Sequence, residues 1–231
     1  MDLIDALRST GSVREFTDEP VDDAVLARTL DTARFAPSGA NAQAWRLVVV
    51  KDPVIRGGLR DLYRQPWVDY LTLTAGGLRP WSPVNDPGAE AALLAAGTGP
   101  AEEAAASGFA AQLDEVPVLL ALFADLSQLA AVDRDLDRYS LAGGASVYPF
   151  AWSILLAARA EGLGGVLTTM LIREEDEVKR LLGAGEALVL AAVIALGHPV
   201  RQVRRLTRQP VESFTTVDRL DGPPFPPAKA D

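Results

Sequence analysis

Three largely apolar runs, "WRLVVV" (45–50), "VPVLLALFA" (116–124) and "ALVLAAVIALG" (187–197), most restrict what this chain can become. All are too short to cross a bilayer as helices. They read as strands, and the second, apolar at nearly every position, is what a strand covered on both faces requires. The cover must come from helices, whose pattern fills the gaps between the runs.

Residues 2–9 read as a short helix. Residues 22–35 read as a longer one, with Val25, Leu26, Leu30 and Ala33 on one face and Asp22 or Asp23 able to cap the start. Residues 53–72 read as helical in part, against the preferences of Gly57, Gly58 and Pro66. From Ala75 to Gly99 the Gly, Pro and Ala content, with Trp81, reads as an irregular excursion that covers a site. An Ala- and Glu-rich helix is expected over 100–112, a long helix from Tyr139 or Ala145 to Glu161 with Gly162 as its terminator, a short strand or loop at "GGVLTT", and a helix over 173–182. With no repeat and no composition break, the 231 residues read as one α+β domain. The tail from His198 onward is too rich in proline and charge to form a core, so it must lean on something else.

Charge and residue inventory narrow the function. Twenty-two basic against 31 acidic residues leave a net charge of −9, which argues against a general nucleic-acid or acidic-membrane surface. Cysteine is absent and His198 stands alone, which excludes disulfides, thiolate nucleophiles, Cys-based clusters and multi-His metal sites. His198, following a strand in "ALGHPV", reads as a turn residue. The first residues carry two acids and no apolar core of a secretory signal, so a soluble cytoplasmic protein is expected. No phosphate-loop, dinucleotide, zincin or serine-hydrolase motif occurs. A chain so poor in acid–base and nucleophilic side chains either binds without chemistry or takes its chemistry from a cofactor.

Two segments suit a cofactor. "RSTGSVREF" (8–16) gathers Arg8, Ser9, Thr10, Ser12 and Arg14 around Gly11, donors suited to an anionic group. "FAPSGANAQAW" (35–45) places Asn41 and Gln43, each with amide donors and an acceptor for a planar heterocycle, beside Pro37 and Gly39. Either segment alone is equally well a helix stop followed by a turn.

Together, and in order with "EPV" (19–21), "LDEVPVLLALFAD", "GASVYPFAWSILLAARAEGLGGVLTT", "EVKRLLG", "VIALGHP" and "RLTRQPVE", these segments resemble the flavin-dependent nitroreductase family over nearly the whole chain except about 70–105. The resemblance implies an α+β nitroreductase-like fold: a mostly antiparallel sheet flanked by helices in an intertwined homodimer, with 70–105 a lid and 200–231 an extension wrapped around the partner. It implies FMN as cofactor and NAD(P)H as reductant. Ser12 and Arg14 would bind the phosphate and pyrimidine side, Arg14 stabilising charge near flavin N1 as the one catalytic side chain. Pro37, Ser38 and Asn41 would reach the ring or ribityl chain from the partner subunit. Leu167, Thr168 and Thr169 would lie near N5, with a backbone N–H as donor, and Arg208 would complete the phosphate contacts. Thr10 stands where many relatives have an arginine, which Arg8 would replace, and Ala44 and Ser153 stand where Pro and Asn are frequent. The implied activity is hydride transfer to a nitroaromatic, quinone or similar acceptor. The alternatives are different flavin chemistry on the same fold, a deazaflavin reductant, or a non-catalytic flavin or ligand binder.

Overall fold

Alternation along the second apolar run decides the architecture. In the computed structural model, which describes residues 1–225, Val118, Leu120, Leu122 and Ala124 point to one face of a sheet and Leu119, Ala121 and Phe123 to the other, and all are buried. The expected double cover is therefore real.

The strands are β1 (Trp45–Val50), β2 (Val118–Asp125), β3 (Gly164–Thr168) and β4 (Leu188–Gly197), in spatial order β1-β2-β4-β3 with every pairing antiparallel. "GGVLTT" is thus the edge strand β3. On one face pack α2 (Asp23–Ala33) and α7 (Tyr148–Ala160), burying Leu26, Ala33, Phe150 and Ile154 against Leu120, Leu122, Ile194 and Leu196. On the other lie α3 (Pro53–Ala75) and α8 (Glu175–Leu182), with Leu59, Tyr63 and Val178 against Leu119, Phe123, Val193 and Ala195. α1 (Leu3–Ser9) packs on α7.

Several boundaries differ from those expected of the sequence. α3 continues through Gly57, Gly58 and Pro66 to Ala75, because burial of Leu59, Tyr63, Pro66, Val68 and Leu73 outweighs local propensity. At Gly58 the helices come close: a Cβ would sit 2.9 Å from the end of the Leu181 side chain of α8, which would have to shift. The expected irregular stretch contains α4 (Pro87–Ala95), capped by Asp86, and the 100–112 helix is split into α5 (Gly99–Ala105) and α6 (Gly108–Ala111). α7 begins only at Tyr148, after a 3₁₀ turn over Ala142–Ser146.

The N-terminal segment and the tail close the β3 side of the sheet. Ser12 forms an isolated parallel bridge to Gly165, with Val13 N–H donating to the Gly165 carbonyl at 2.9 Å. This occupies part of an otherwise open strand edge. The tail then runs beside that segment: Thr17 N–H donates to His198 O, Val200 N–H to Glu15 O and Leu206 N–H to Arg8 O. A Cβ at Gly11 would meet Leu206 at 3.0 Å and Val203 at 3.2 Å, so glycine lets the tail approach without these side chains having to give. The last six residues of the expected C-terminal extension, 226–231, lie outside the described residues. No helix of the described residues is long and apolar enough to cross a membrane.

Candidate active site

The β3 edge gathers most of the expected cofactor residues. Ser12 is held beside Gly165 by the strand bridge, and two residues on Arg14 is exposed and lines a cavity of ≈ 300 Å³ with Glu15, Phe16, Phe109, Gln112 and Val200. Leu167, Thr168 and Thr169 form the exit of β3, Leu167 and Thr169 half-buried and Thr168 9% exposed. Arg8 comes to the same corner through its carbonyl, which accepts from Leu206. Two residues beyond Leu206 is Arg208, whose guanidinium contacts only the neighbouring Thr207 carbonyl. Among the described residues none of Arg8, Arg14 and Arg208 has a carboxylate partner, whereas Arg28, Arg46, Arg60 and Arg138 do. In a chain of net charge −9, guanidinium groups left without carboxylate partners at one corner are fitted to an anion.

One participant has no counterpart among the residues picked out by motif. Tyr63, on α3 and 2% exposed, has its hydroxyl 2.9 Å from Thr168 Oγ1. Burial pushes this phenol above its ordinary range, with the Thr168 hydrogen bond and the positive charge of Arg14 pulling the other way. The available signal was the spacing Tyr63, Trp67, Tyr70, aromatic residues on one side of a helix, which is equally a core stripe.

Pro37, Ser38 and Asn41 are elsewhere. Their loop is pinned by a hydrogen bond from Gly39 N–H to Ser146 Oγ at 3.0 Å, and by Ser38 Oγ, which accepts from Gln43 N–H at 2.9 Å. Ala40, Asn41 and Gln43 all have positive φ (52°, 54° and 49°), a conformation that costs L-residues about 1 kcal/mol each. Its far side is anchored by Trp45, stacked on Phe150 at 4.6 Å. Asn41 is left exposed at the apex.

The strand register gives the separation of these groups. Ser12 lies level with Leu196 of β4 through Gly165, while the loop enters β1 level with Val189 of β4 through Ala124. That is seven residues along β4, about 23 Å, and four strand spacings across, about 19 Å. The two sets occupy diagonally opposite corners, so one chain does not bring Asn41 to Arg14.

The second corner also opens on an apolar cavity of ≈ 870 Å³ lined by Leu126, Leu129, Leu141, Tyr148, Val189 and Ala191. Its rim is tied by Asp133, whose side chain, 5% exposed, accepts from Arg138, from Ser140 Oγ and from the N–H groups of Leu141 and Ala142. These donors hold the Asp133 carboxyl far below the ordinary carboxylate range. Tyr148 reaches across to the Ala191 carbonyl at 3.2 Å, at the residue where a bulge interrupts the β2–β4 register. His198 has the expected turn role, its carbonyl accepting from Thr17 and its ring 3.7 Å from Glu19. Among the described residues no cluster of His, Cys, Asp or Glu is built to hold a metal ion.

The sequence matches the nitroreductase family over residues 7–198, and the chain belongs to that family. It is 29% identical over 228 residues to a protein named NADH dehydrogenase from Thermus thermophilus, covering 87% of this chain and 88% of that one. It is also 29% identical over 220 residues to a 5,6-dimethylbenzimidazole synthase from Rhodospirillum rubrum, covering 90% and 89%. The same fold is found in an oxidised iodotyrosine deiodinase solved with FMN and 3-iodo-L-tyrosine, with a TM-score of 0.63 at 23% identity over 90% of this chain and 95% of that one. The resemblance carried by the motifs and the expected α+β fold are thereby established, and the names of the relatives span several different reactions.

Proposed function

We propose that this protein is an FMN-dependent oxidoreductase which takes hydride from NAD(P)H and passes it to a nitroaromatic, quinone or similar acceptor, acting as a homodimer. The observation that carries this reading is the β3 edge, where the segment of Ser12 and Arg14 bridges Gly165 and the tail leading to Arg208 runs beside it, with no ion pair at Arg8, Arg14 or Arg208 among the described residues. That donor set fits a phosphate-bearing planar cofactor. Arg8, Ser12 and Arg208 would hold the phosphate, and Arg14 the side of the ring where negative charge grows on reduction. Leu167 and Thr169 would line the edge near N5. When bound, FMN supplies the hydride acceptance and donation that no side chain of this protein provides. The chain's own work is to position, to exclude water and to place positive charge.

The homodimer supplies the missing half. Pro37, Ser38 and Asn41 at the far corner of one protomer would meet Arg14 of its partner across a two-fold axis. Exposed Leu3, Ile4 and Leu7 on α1, with Tyr148 and Trp152 on the adjoining α7, provide apolar surface for such an interface. The tail, which has no core of its own, would lie over the partner. The stretch 70–105, with Trp67 and Tyr70 at its base and Trp81 within it, would cover the bound acceptor.

A second reading, different flavin chemistry on the same fold, is favoured by relatives named for dimethylbenzimidazole synthesis and for deiodination. An absorbance spectrum of the purified protein before and after anaerobic NADPH tests the first. Flavin bands that bleach on reduction are expected, and their absence after reconstitution with FMN overturns the enzyme reading. Bands that bleach with dithionite but not with NADPH or NADH leave the flavin and remove the nicotinamide.

A further inference from the structure

The contact between Tyr63 and Thr168 joins two hydroxyl groups inside an otherwise apolar cluster. Phenylalanine at 63 would fill the same space, and a buried polar pair contributes little that good apolar packing does not. Its use is therefore sought in where it leaves the protons.

Each hydroxyl has one proton to donate and two lone pairs. Among the described residues Tyr63 Oη has no hydrogen-bond partner besides Thr168, and the Tyr63 ring, 2% exposed, packs with Phe109 edge-on at 6.1 Å and Trp67 at 6.2 Å between ring centroids. Were Thr168 the donor, the phenol proton would point into this apolar cluster with no acceptor, at a cost of about 1–3 kcal/mol. Either oxygen can donate, and one proton of the pair is left without a partner among the described residues. Thr168 Oγ1 also faces the Met170 N–H at 3.5 Å, a donor that competes for its lone pairs. Thr168 is the last residue of β3, between half-buried Leu167 and Thr169, whereas Tyr63 is buried in the apolar cluster, so an acceptor from outside the chain can reach the remaining proton more readily on Thr168 than on Tyr63.

The Tyr63 ring is itself fixed. It begins a row in which Trp67 stacks on Tyr70 at 5.3 Å, Tyr70 meets Trp81 at 6.3 Å, and Arg173 lies over Trp81 at 5.2 Å. Arg173 belongs to the 3₁₀ turn that follows Thr168, so both ends of the row bear on the segment 168–173.

We propose that Tyr63 is a positioning residue: by donating to Thr168 Oγ1 it turns the Thr168 hydroxyl proton outward as a fixed donor to the flavin edge at the β3 exit. The assignment rests on the FMN reading above. It adds a side-chain donor to the backbone donor expected there, and it makes the base of the lid helix part of the redox site.

The test is a double-mutant cycle with Tyr63→Phe and Thr168→Val, using Thr168→Ser as the conservative control. Tyr63→Phe is expected to bind FMN within about threefold of wild type, to shift the visible band of the bound oxidised flavin, and to slow anaerobic reduction about tenfold. Thr168→Val is expected to do the same, Thr168→Ser to stay near wild type, and the double variant to be no worse than Thr168→Val. In the cofactor-free protein, the vibrational signature of Tyr63 as a hydrogen-bond donor is expected in wild type and lost in Thr168→Val. A Tyr63→Phe protein with wild-type spectrum and rate, or effects of the two substitutions that multiply, overturns the assignment while leaving the FMN reading intact. A wild-type protein that takes up no flavin overturns both, and shows it before any variant is made. Should Tyr63→Phe not fold, equal behaviour of Thr168→Val and Thr168→Ser overturns the assignment, and the contrast described supports it.

Discussion

The two corners of the sheet are built in opposite ways. At the β3 corner the backbone is ordinary strand and the side chains carry the character: Arg8, Arg14 and Arg208, without carboxylate partners among the described residues, and Thr168, whose hydroxyl meets that of Tyr63. At the β1 corner the serine hydroxyls are occupied with backbone, Ser38 Oγ accepting from Gln43 N–H and Ser146 Oγ from Gly39 N–H, and the backbone carries the cost in three positive φ angles. One corner is an unfilled set of donors and the other a stiff, preshaped loop. A loop strained in the isolated chain has its use where something else is received on it, which is the physical argument for a site completed across two chains.

The largest effect should come from separating the corners. Trp152→Glu, which places a charge on the exposed apolar face of α7, is expected to yield monomers in sedimentation and to weaken FMN retention by at least about 100-fold; a dimer with full flavin content would remove this face from the interface. Next, Arg14→Ala should weaken FMN binding about 10- to 100-fold, the loss of a hydrogen bond to a charged group, and slow reduction by reductant. Unchanged titration and reduction would take Arg14 out of the site.

Asn41→Gly keeps a backbone suited to positive φ and removes only the amide. It should weaken FMN several-fold, as for a neutral hydrogen bond, with a melting temperature equal to or above wild type. Mixing the Arg14→Ala and Asn41→Gly proteins under exchange conditions sharpens the comparison. If the site takes Arg14 from one chain and Asn41 from the other, half-and-half dimers contain one wild-type site, and about a quarter of all sites regain tight binding. No recovery would place both residues in one chain's site.

The smallest effect concerns the rim of the β1 corner. Asp133 has a folded pKa held below its ordinary 3.8, so its contribution is complete above that value and is lost as pH falls toward the folded pKa. Asp133→Asn should flatten the acid side of the stability–pH curve below about pH 4 and leave neutral-pH flavin binding little changed. An unaltered acid limb would show that the tie at 133 does not couple to folding.

Three of the four strands were legible as largely apolar runs, "GGVLTT" leaving strand and loop open, and the start of α2 was legible because Asp22 caps it. The length of α3 was not, since Gly57, Gly58 and Pro66 speak locally against a helix that only its burial against the sheet sustains. In the candidate site, Ser12, Arg14 and Thr168 were picked out through motifs. Tyr63 was passed over because aromatic residues at helical spacing look alike whether they pack or position. Its meaning depends on a contact 105 residues away in sequence.

What the amino-acid order determined by itself was therefore the set of elements and the inventory of chemistry: strands from apolar runs, a helix start from an aspartate, and the exclusion of chemistry that needs cysteine or more than one histidine. Which groups share a site was decided only in three dimensions. Antiparallel pairing in the order β1-β2-β4-β3 carries Ser12 and the 37–43 loop to opposite corners, and it brings Tyr63 to Thr168. Register and packing set these distances, and neither is a local property of the chain.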